Sequence, residues 1–303
     1  MEMRIGIVGA GTQGKKHAYK LSSLGIEVWV TDIEEKKAKT LSQEVGGKWV
    51  ESFEDFRKGV DGVIIATPAT THYTIARFFL ENSIPLLIEK PLVVKREEGE
   101  EIIKLARKRA IPVLVGMVER FHPGIKELKK RIKEPIFIEI HRVGPFPGRS
   151  LDIGVVLDLM LHDLDLLWFL LGEKPSSIEA IGAKVFTTFE DIVNVRLSFP
   201  SGCVSNLTAS RVSEERMRKL RIFQGREYYS LSFPEGELKS YKVKEGELEK
   251  KTWKWKEVDP LKEEIIEFVS TVKGEKKSHI SVENVYPSLD LAFQILEKIR
   301  IVG

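Results

Sequence analysis

The sequence predicts an α/β protein: an N-terminal doubly wound parallel sheet of the Rossmann type, then a C-terminal α+β half built on a large, mainly antiparallel sheet. Three observations carry that expectation. Short Ile- and Val-rich runs alternate with amphipathic stretches as far as Met117. A glycine-rich turn joins the first apolar run to the first helical stretch. After Met117 the alternation gives way to successive β runs joined by tight turns. Strand and helix in alternation make βαβ units with right-handed crossovers, whereas consecutive hairpins make antiparallel pairs.

The buried strands are read at Arg4–Val8, Glu27–Thr31, Gly62–Ala66, Leu86–Glu89 and Val113–Met117, each too apolar to keep a solvent face. Between them Gln13–Leu24, Ile33–Val45, Thr71–Glu81 and Arg96–Arg109 have helical spacing. Gly25, Gly46 and Gly47 stand where helices stop, and Pro85 and Pro112 fall just before strands. A basic amphipathic helix follows at Pro123–Lys133, then a strand Ile136–Val143, the loop GPFPGRS and an apolar helix Val155–Leu171. From Ser176 to Trp255 the chain reads as β runs, with turns at FPSGC (199–203), QGRE (224–227) and PEGE (234–237). Helices at Leu261–Val272 and Val282–Ile301 complete it. The expected division is 1–119 for dinucleotide binding and 120–303 for substrate binding and oligomerisation.

Composition narrows the function classes. The chain has 303 residues, 42% hydrophobic and 31% charged, enough for two cores. Forty-eight Lys and Arg against forty-five Asp and Glu leave +3, which argues against nucleic acid as a partner because such binders concentrate a basic face. The runs KLARKR (104–109) and KELKKRIK (126–133) read as solvated helix faces. Cys203, the one cysteine, can form neither an internal disulfide nor a Cys-based zinc site and points to a reducing compartment; it reads as a small buried hydrophobe. No charged-then-apolar leader precedes RIGIVG. The most apolar stretch, Val155–Leu171, contains Asp158, His162, Asp163 and Asp165, which a membrane span would not tolerate. The expectation is a cytoplasmic protein with no membrane partner. The high Lys, Glu and Arg content points to a heat-adapted source. Trp253 and Trp255 alternate with lysines, as on a strand with one covered face, and suggest a homodimer or homotetramer through the C-terminal sheet.

Gly9-Ala10-Gly11-Thr12-Gln13-Gly14 is a G-x-G-x-x-G between a strand and a helix. In such a turn Gly9 permits the bend, Gly11 lets a pyrophosphate approach the backbone and Gly14 lets helix pack on strand, with the diphosphate at the helix N-terminus. Asp32 stands at the end of the second strand, 18 positions after Gly14, where an acid binds the adenosine ribose hydroxyls. Its carboxylate would repel a 2′-phosphate, so NAD is expected over NADP. The alternative is a glycine-rich turn with Asp32 capping the next helix. Ala66-Thr67-Pro68 ends a strand at the edge where open α/β sheets bind ligands; Thr67 and Pro68 join the cofactor group, and His72 either lines the nicotinamide side or acts as a cap. Glu89-Lys90-Pro91 ends the next strand at the same edge, and Glu89 and Lys90 join the cofactor group. The Lys90 ammonium could stabilise a developing alkoxide or hold a substrate hydroxyl, the alternative being a solvated surface lysine.

In LDLMLHDLD (157–165), Asp158 and His162 are four apart and Asp165 three further on, so all three are expected on one helical face. The functional reading is a general base: His162 takes a hydroxyl proton while Asp158 orients the imidazole or binds another hydroxyl. A metal pair is a rival, without further His or Cys at ligand spacing, and a structural Asp–His bond is the other.

GAGTQG, Asp32, EKP at 89–91 and the D-x-x-x-H of Asp158 and His162 resemble the Gfo/Idh/MocA oxidoreductases, over essentially the whole chain. The resemblance implies that Lys90, Asp158 and His162 form the catalytic group and that substrate meets nicotinamide at a cleft between the domains. Two places depart from the family pattern. Glu119-Arg120-Phe121 replaces N-x-R, leaving Arg120 as a substrate contact, and Asp152-Ile153-Gly154 replaces a Gly-Gly. A narrower likeness, carried by RVGPFPGR (142–149) and DIGVVLDLMLHDLD, is to the branch holding UDP-N-acetylglucosamine 3-dehydrogenases. It implies that Arg142 and Arg149 hold a nucleotide-sugar diphosphate; the alternative is pairing with surface carboxylates. The expected function is therefore an NAD-dependent dehydrogenase of a sugar or nucleotide sugar. The alternatives are a free sugar or a cyclic polyol such as inositol, and, from another class, a non-catalytic NAD-binding sensor.

Overall fold

A computed structural model describes residues 3–148, 152–257 and 259–302. It divides into two compact units, one running to Val118 and taking back Leu261–Tyr286, the other made of Glu119–Pro260 and the chain from Pro287 onward.

In the first unit β1 (Arg4–Val8), β2 (Glu27–Thr31), β3 (Lys48–Trp49), β4 (Gly62–Ile65), β5 (Leu86–Ile88) and β6 (Val113–Val115) form a parallel sheet in the order β3-β2-β1-β4-β5-β6. Helices α1 (Thr12–Ser23), α2 (Glu35–Glu44), α3 (His72–Glu81) and α4 (Arg96–Arg109) supply the crossovers. Strand order reverses between β1 and β4, whose C-terminal ends lie side by side with Val8 opposite Ile65. Outside that reversal is where such sheets take their ligands. Ala66, Glu89 and Met117, read as strand ends, lie just beyond the ladder and belong to the loops that face this edge. β3 and the 3-10 turn Phe53–Lys58 were not anticipated, since a two-residue strand has no periodicity to read. Phe56 of that turn is fully buried against Gly6, where a Cβ would come within 2.6 Å of its ring.

The second unit contains α5 (Pro123–Arg131), β7 (Phe137–Val143), a π-helical turn Val156–Met160 leading into α6 (Leu161–Leu171), and then β8 (Ser177–Ala183), β9 (Ile192–Ser198), β10 (Val204–Ser210), β11 (Met217–Gln224), β12 (Glu227–Ser232), β13 (Glu237–Lys244) and β14 (Glu247–Lys254). With β15 (Arg300–Val302) they form a nine-stranded sheet in the order β14-β13-β12-β11-β7-β10-β9-β8-β15. Pairing is antiparallel except for β7 with β10 and β8 with β15. Parallel neighbours need a long crossover, and the chain between β7 and β10 includes α6. Along β7 the residues Ile138, Ile140 and Arg142 are buried while their neighbours are half-exposed, so one face of the sheet is covered. Cys203 is buried, and burial pushes its thiol up to about 11, as suits a small hydrophobe.

The structure differs from the expected division at the C-terminal helices α7 (Pro260–Val272) and α8 (Val282–Lys298). Segment 261–286 belongs to the first unit. Ile265 and Phe268 of α7 are fully buried; a Cβ on Gly62 would lie 3.0 Å from Phe268 and 3.1 Å from Val272. The Val115 N–H also donates to the Ile280 carbonyl at 3.0 Å. Helical periodicity reveals an apolar face, not which sheet covers it. The expected helix to Ile301 stops at Lys298, and the last residues pair with β8. No helix among the described residues is long and apolar enough to cross a membrane.

Candidate active site

The glycine turn at the end of β1 follows the geometry that a dinucleotide needs. Gly9 has φ +102°, and a Cβ there would come within 2.6 Å of the Ala66 carbonyl. A Cβ on Gly14 would lie 1.8 Å from the Gly9 carbonyl, so helix and turn touch backbone to backbone. At Gly11 a Cβ would meet nothing within 4 Å. That open backbone precedes Thr12 and Gln13, which start α1, a helix with no side-chain cap bond and no acidic residue in its first turn. An unclaimed helix N-terminus suits a diphosphate. Asp32 accepts the Ala10 N–H at 2.6 Å and the Glu34 N–H at 2.8 Å, one on each oxygen. The two readings of Asp32 therefore meet in one residue: it braces the turn and the entry to α2, and each oxygen keeps a lone pair for a ribose hydroxyl.

Around Lys90 the structure sorts the expected residues into those at the surface and those beneath. Thr67, which accepts from the Thr71 hydroxyl at 2.7 Å, and Lys90 are half-exposed, and Pro68 is exposed. His72 is buried, with Nδ1 at 2.8 Å from the Pro91 carbonyl and Nε2 at 3.0 Å from the Thr67 carbonyl. Burial pushes its pKa down against the pull of the two carbonyls; the ring lies between the two loops, and in its neutral form its single N–H donates to one carbonyl at a time. It neither lines a nicotinamide nor caps a helix. Glu89 is likewise corrected from cofactor contact to buried anchor, bonded to His17 Nε2 at 2.7 Å. Burial would raise its carboxyl, but His17 and then Lys90 draw it below the usual range. Nearby in charge terms is Glu264 of α7, fully buried, whose two oxygens find no hydrogen-bond partner among the described residues. Burial, then the charges of Glu89 and Glu267, push it well above ordinary carboxyls, so it holds a proton. His17 and Glu264 escaped the sequence reading because nothing local marks them.

In the second unit Asp158 lies in the π-helical turn and His162 in the first turn of α6, both half-buried among fully buried Leu157, Met160, Leu161 and Asp163. The expected single α-helix is thus corrected at its start. Such π turns recur at functional sites. Glu190 holds this entry: its carbonyl accepts the Val155 N–H at 3.0 Å and its carboxyl accepts the Val156 N–H at 3.1 Å. A Cβ on Gly154 would fall 2.0 Å from that carboxyl, which explains the glycine in Asp152-Ile153-Gly154. Arg211 Nη1 fixes the Ile153 carbonyl at 3.0 Å while its Nε bonds Asp191 at 2.7 Å. Asp165 is buried, accepting from Ser288 Oγ at 3.0 Å and from both arms of Arg120 at 2.7 and 2.6 Å.

Two expected substrate contacts are therefore corrected. Arg120 is buried and committed to Asp165. Arg142 is 3% exposed and points Nε and Nη2 at Asp163, Nη1 and Nη2 at Glu119, with bonds of 2.6 to 3.1 Å. A guanidinium so occupied has no donor pair for a diphosphate. Arg149 lies outside the described residues. Burial would raise the Glu119 carboxyl, but Arg142 and then His162 hold it at about 2. Asp163 is pushed up to about 6 by burial against the pull of Arg142. The charge of Glu119 adds to the rise at Asp163, whereas His162 adds to the fall at Glu119. The signal for Arg142 was available: it continues the alternation of Ile138 and Ile140 on the covered face of β7.

Known proteins share this fold. The profile of the "oxidoreductase family, NAD-binding Rossmann fold" matches residues 3–117, and that of the "GFO/IDH/MocA C-terminal domain" matches residues 134–227. The chain is 34% identical over 242 residues to UDP-N-acetylglucosamine 3-dehydrogenase of Acidithiobacillus ferrooxidans, covering 80% of this chain and 77% of that one. It is 29% identical over 235 residues to scyllo-inositol 2-dehydrogenase (NAD(+)) of Bacillus subtilis, covering 70% and 68%. A solved structure of the Acidithiobacillus ferrooxidans enzyme superposes with a TM-score of 0.92 at 30% identity, over 99% of this chain and 98% of that one. With the glycine turn, Asp32 and both domain matches in hand, the chain belongs to the Gfo/Idh/MocA family of NAD-binding oxidoreductases.

Proposed function

We propose that this enzyme oxidises a ring hydroxyl of a nucleotide sugar of the UDP-N-acetylglucosamine type, with NAD as the acceptor. The observation that carries the chemistry is His162, half-buried at a π-helical turn and within the field of the Glu119 carboxylate. An anion there favours the imidazolium that a general base becomes. The substrate class rests on the 34% identity to UDP-N-acetylglucosamine 3-dehydrogenase.

In this reading His162 takes the hydroxyl proton, Asp158 keeps the imidazole oriented and Lys90 holds the same oxygen while negative charge grows on it. Bound NAD would supply an acceptor for the hydride leaving the carbon, so that C–H and O–H are exchanged for a carbonyl. Gly11 and the first turn of α1 would hold its diphosphate, and Asp32 its ribose. His72 keeps the Thr67 and Pro91 loops together, so it positions Lys90 rather than meeting substrate. Self-association through the large sheet would use its outer face, where the rings of Phe223, Tyr228 and Tyr241 lie with centroids 4.7 and 5.7 Å apart.

Oxidation of a cyclic polyol is the second reading, favoured by the inositol dehydrogenase relative. A panel of UDP-sugars, free sugars and inositols, mixed with protein and NAD and followed at the absorbance of reduced nicotinamide, separates the two. A 2-oxoacid in parallel wells reoxidises cofactor that stays bound, and mass spectrometry identifies products. Turnover with UDP-N-acetylglucosamine alone is the expected result, turnover with inositol alone selects the second reading, and NAD binding without turnover of any member leaves the sensor.

A further inference from the structure

Arg142, the arginine expected to meet a substrate diphosphate, is closed off by Glu119 and Asp163. Its neighbour across the sheet is not. Arg218 of β11 stands directly opposite Arg142 of β7 in the antiparallel register. Alternation along β11 puts it on the side of Leu220 and Ile222, the covered side on which Arg142 meets α6. Opposed residues have Cβ atoms about 4.5–5.5 Å apart, so the two guanidinium stems run side by side. One ends in carboxylates. The other is exposed and, among the described residues, makes no hydrogen bond or ion pair. Arg216, also exposed and without an ion pair among the described residues, lies beside Gly144, where a Cβ would sit 3.5 Å from the Arg216 Cγ.

The charge arrangement is specific. Arg218 lies in the fields of Arg142, Glu119, Asp163 and Arg216. Glu119 and Asp163 turn their oxygens to Arg142, so they moderate the positive charge around Arg218 without engaging its fork. Two adjacent guanidiniums lacking carboxylate partners among the described residues repel, and a diphosphate with one negative charge on each phosphoryl group relieves that repulsion with charge-assisted bonds. Glu119 is also the carboxylate whose field reaches His162, which puts Arg218 in the surroundings of the proposed base. A nucleotide sugar presents its anomeric phosphate a few bonds from the ring hydroxyls, so a base for one and a binder for the other have to be neighbours.

We propose that Arg218, assisted by Arg216, binds the diphosphate of the nucleotide-sugar substrate and selects it over the free sugar. The assignment rests on the nucleotide-sugar reading above. UDP itself is the probe, titrated calorimetrically into wild type, Arg218→Ala, Arg218→Lys and Arg216→Ala, with thermal melting to establish that each is folded. Arg218→Ala should weaken UDP by about 10- to 100-fold, Arg218→Lys should recover only part of that, and Arg216→Ala should lose about 3- to 10-fold. In turnover of UDP-N-acetylglucosamine, Arg218→Ala should raise KM far more than it lowers kcat, with NAD affinity within about twofold of wild type. If wild type turns over the nucleotide sugar and Arg218→Ala keeps its UDP affinity, the assignment is overturned and the nucleotide-sugar reading stands. If UDP binds through Arg218 but no nucleotide sugar is oxidised, the anion site stands and that reading falls. If Arg218→Ala melts lower but binds UDP as well as wild type, Arg218 only balances the Glu119 and Asp163 charges. If wild type binds no UDP, the assignment falls whatever else is turned over.

Discussion

The glycine turn of the first unit and the ionic cluster of the second solve the same task by opposite means. The turn is shaped by backbone: Gly9, Gly11 and Gly14 act through the Cβ they lack, and Asp32 braces the turn through the Ala10 N–H. The cluster is shaped by side chains: Arg142 gathers Glu119 from 23 residues away and Asp163 from 21, and Arg120 gathers Asp165 from 45. A backbone-made site tolerates almost no added atom and leaves its surface open to ligand. A side-chain-made site is closed by its own charges, with His162 and Arg218 standing in the field of Glu119.

Variants can break or sharpen that contrast, beginning with the largest effect. Replacing the proposed catalytic groups should cost rate. His162→Ala and Lys90→Ala are each expected to lower kcat by about 10²–10⁴-fold, with NAD affinity measured by fluorescence titration changed less than about twofold. Wild-type rates in both would end the catalytic assignment. Opening the cluster should instead cost stability: Arg142→Met strands two buried carboxylates and is expected to lose about 3–5 kcal/mol in urea unfolding. A loss below about 1 kcal/mol would mean that the network is not the core of that unit.

At the backbone site the two outer effects separate cleanly. Gly14→Ala places a methyl group 1.8 Å from the Gly9 carbonyl and should lower both melting temperature and NAD affinity. Gly11→Ala meets no protein atom within 4 Å, so its melting temperature should stay within about 1 °C while NAD binding weakens by about tenfold or more. Equal NAD affinity in Gly11→Ala would remove the pyrophosphate from that turn.

The smallest effect lies at the buried carboxyl of α7. Glu264 keeps its proton to a pH above its ordinary value of 4.5. Its stabilisation is therefore complete below that value and is lost as pH rises through the raised one, because the unfolded chain ionises first. Glu264→Gln should leave stability unchanged at pH 4 and raise the melting temperature by about 2–4 °C at pH 8. A variant less stable than wild type at pH 8 would show that the acid is ionised and engaged in the folded enzyme.

How much could be read without coordinates follows the same contrast. The parallel sheet, the glycine turn, Asp32, Lys90, Asp158 and His162 lie in local patterns of strand, turn and spacing. Asp32 was legible as an acid at the glycine turn because the turn and the acid occupy fixed offsets. Arg120 and Arg142 were misread because a guanidinium near the His162 helix looks the same whether it faces ligand or a buried aspartate; the partner, far along the chain, decides. Gly154 and Glu190 form a pair only in three dimensions. The return of α7 to the first sheet was equally hidden, since its apolar face fits either core.

The central claim, that this enzyme moves hydride from a ring carbon of a nucleotide sugar, is tested most directly with UDP-N-acetylglucosamine deuterated at C3. Single-turnover reaction with NAD, followed by mass spectrometry of the nicotinamide, should find deuterium in the reduced cofactor of wild type, and the slowed His162→Ala reaction should carry the same label. Reduced cofactor without deuterium, or unlabelled product formed with no reduction, would contradict the account.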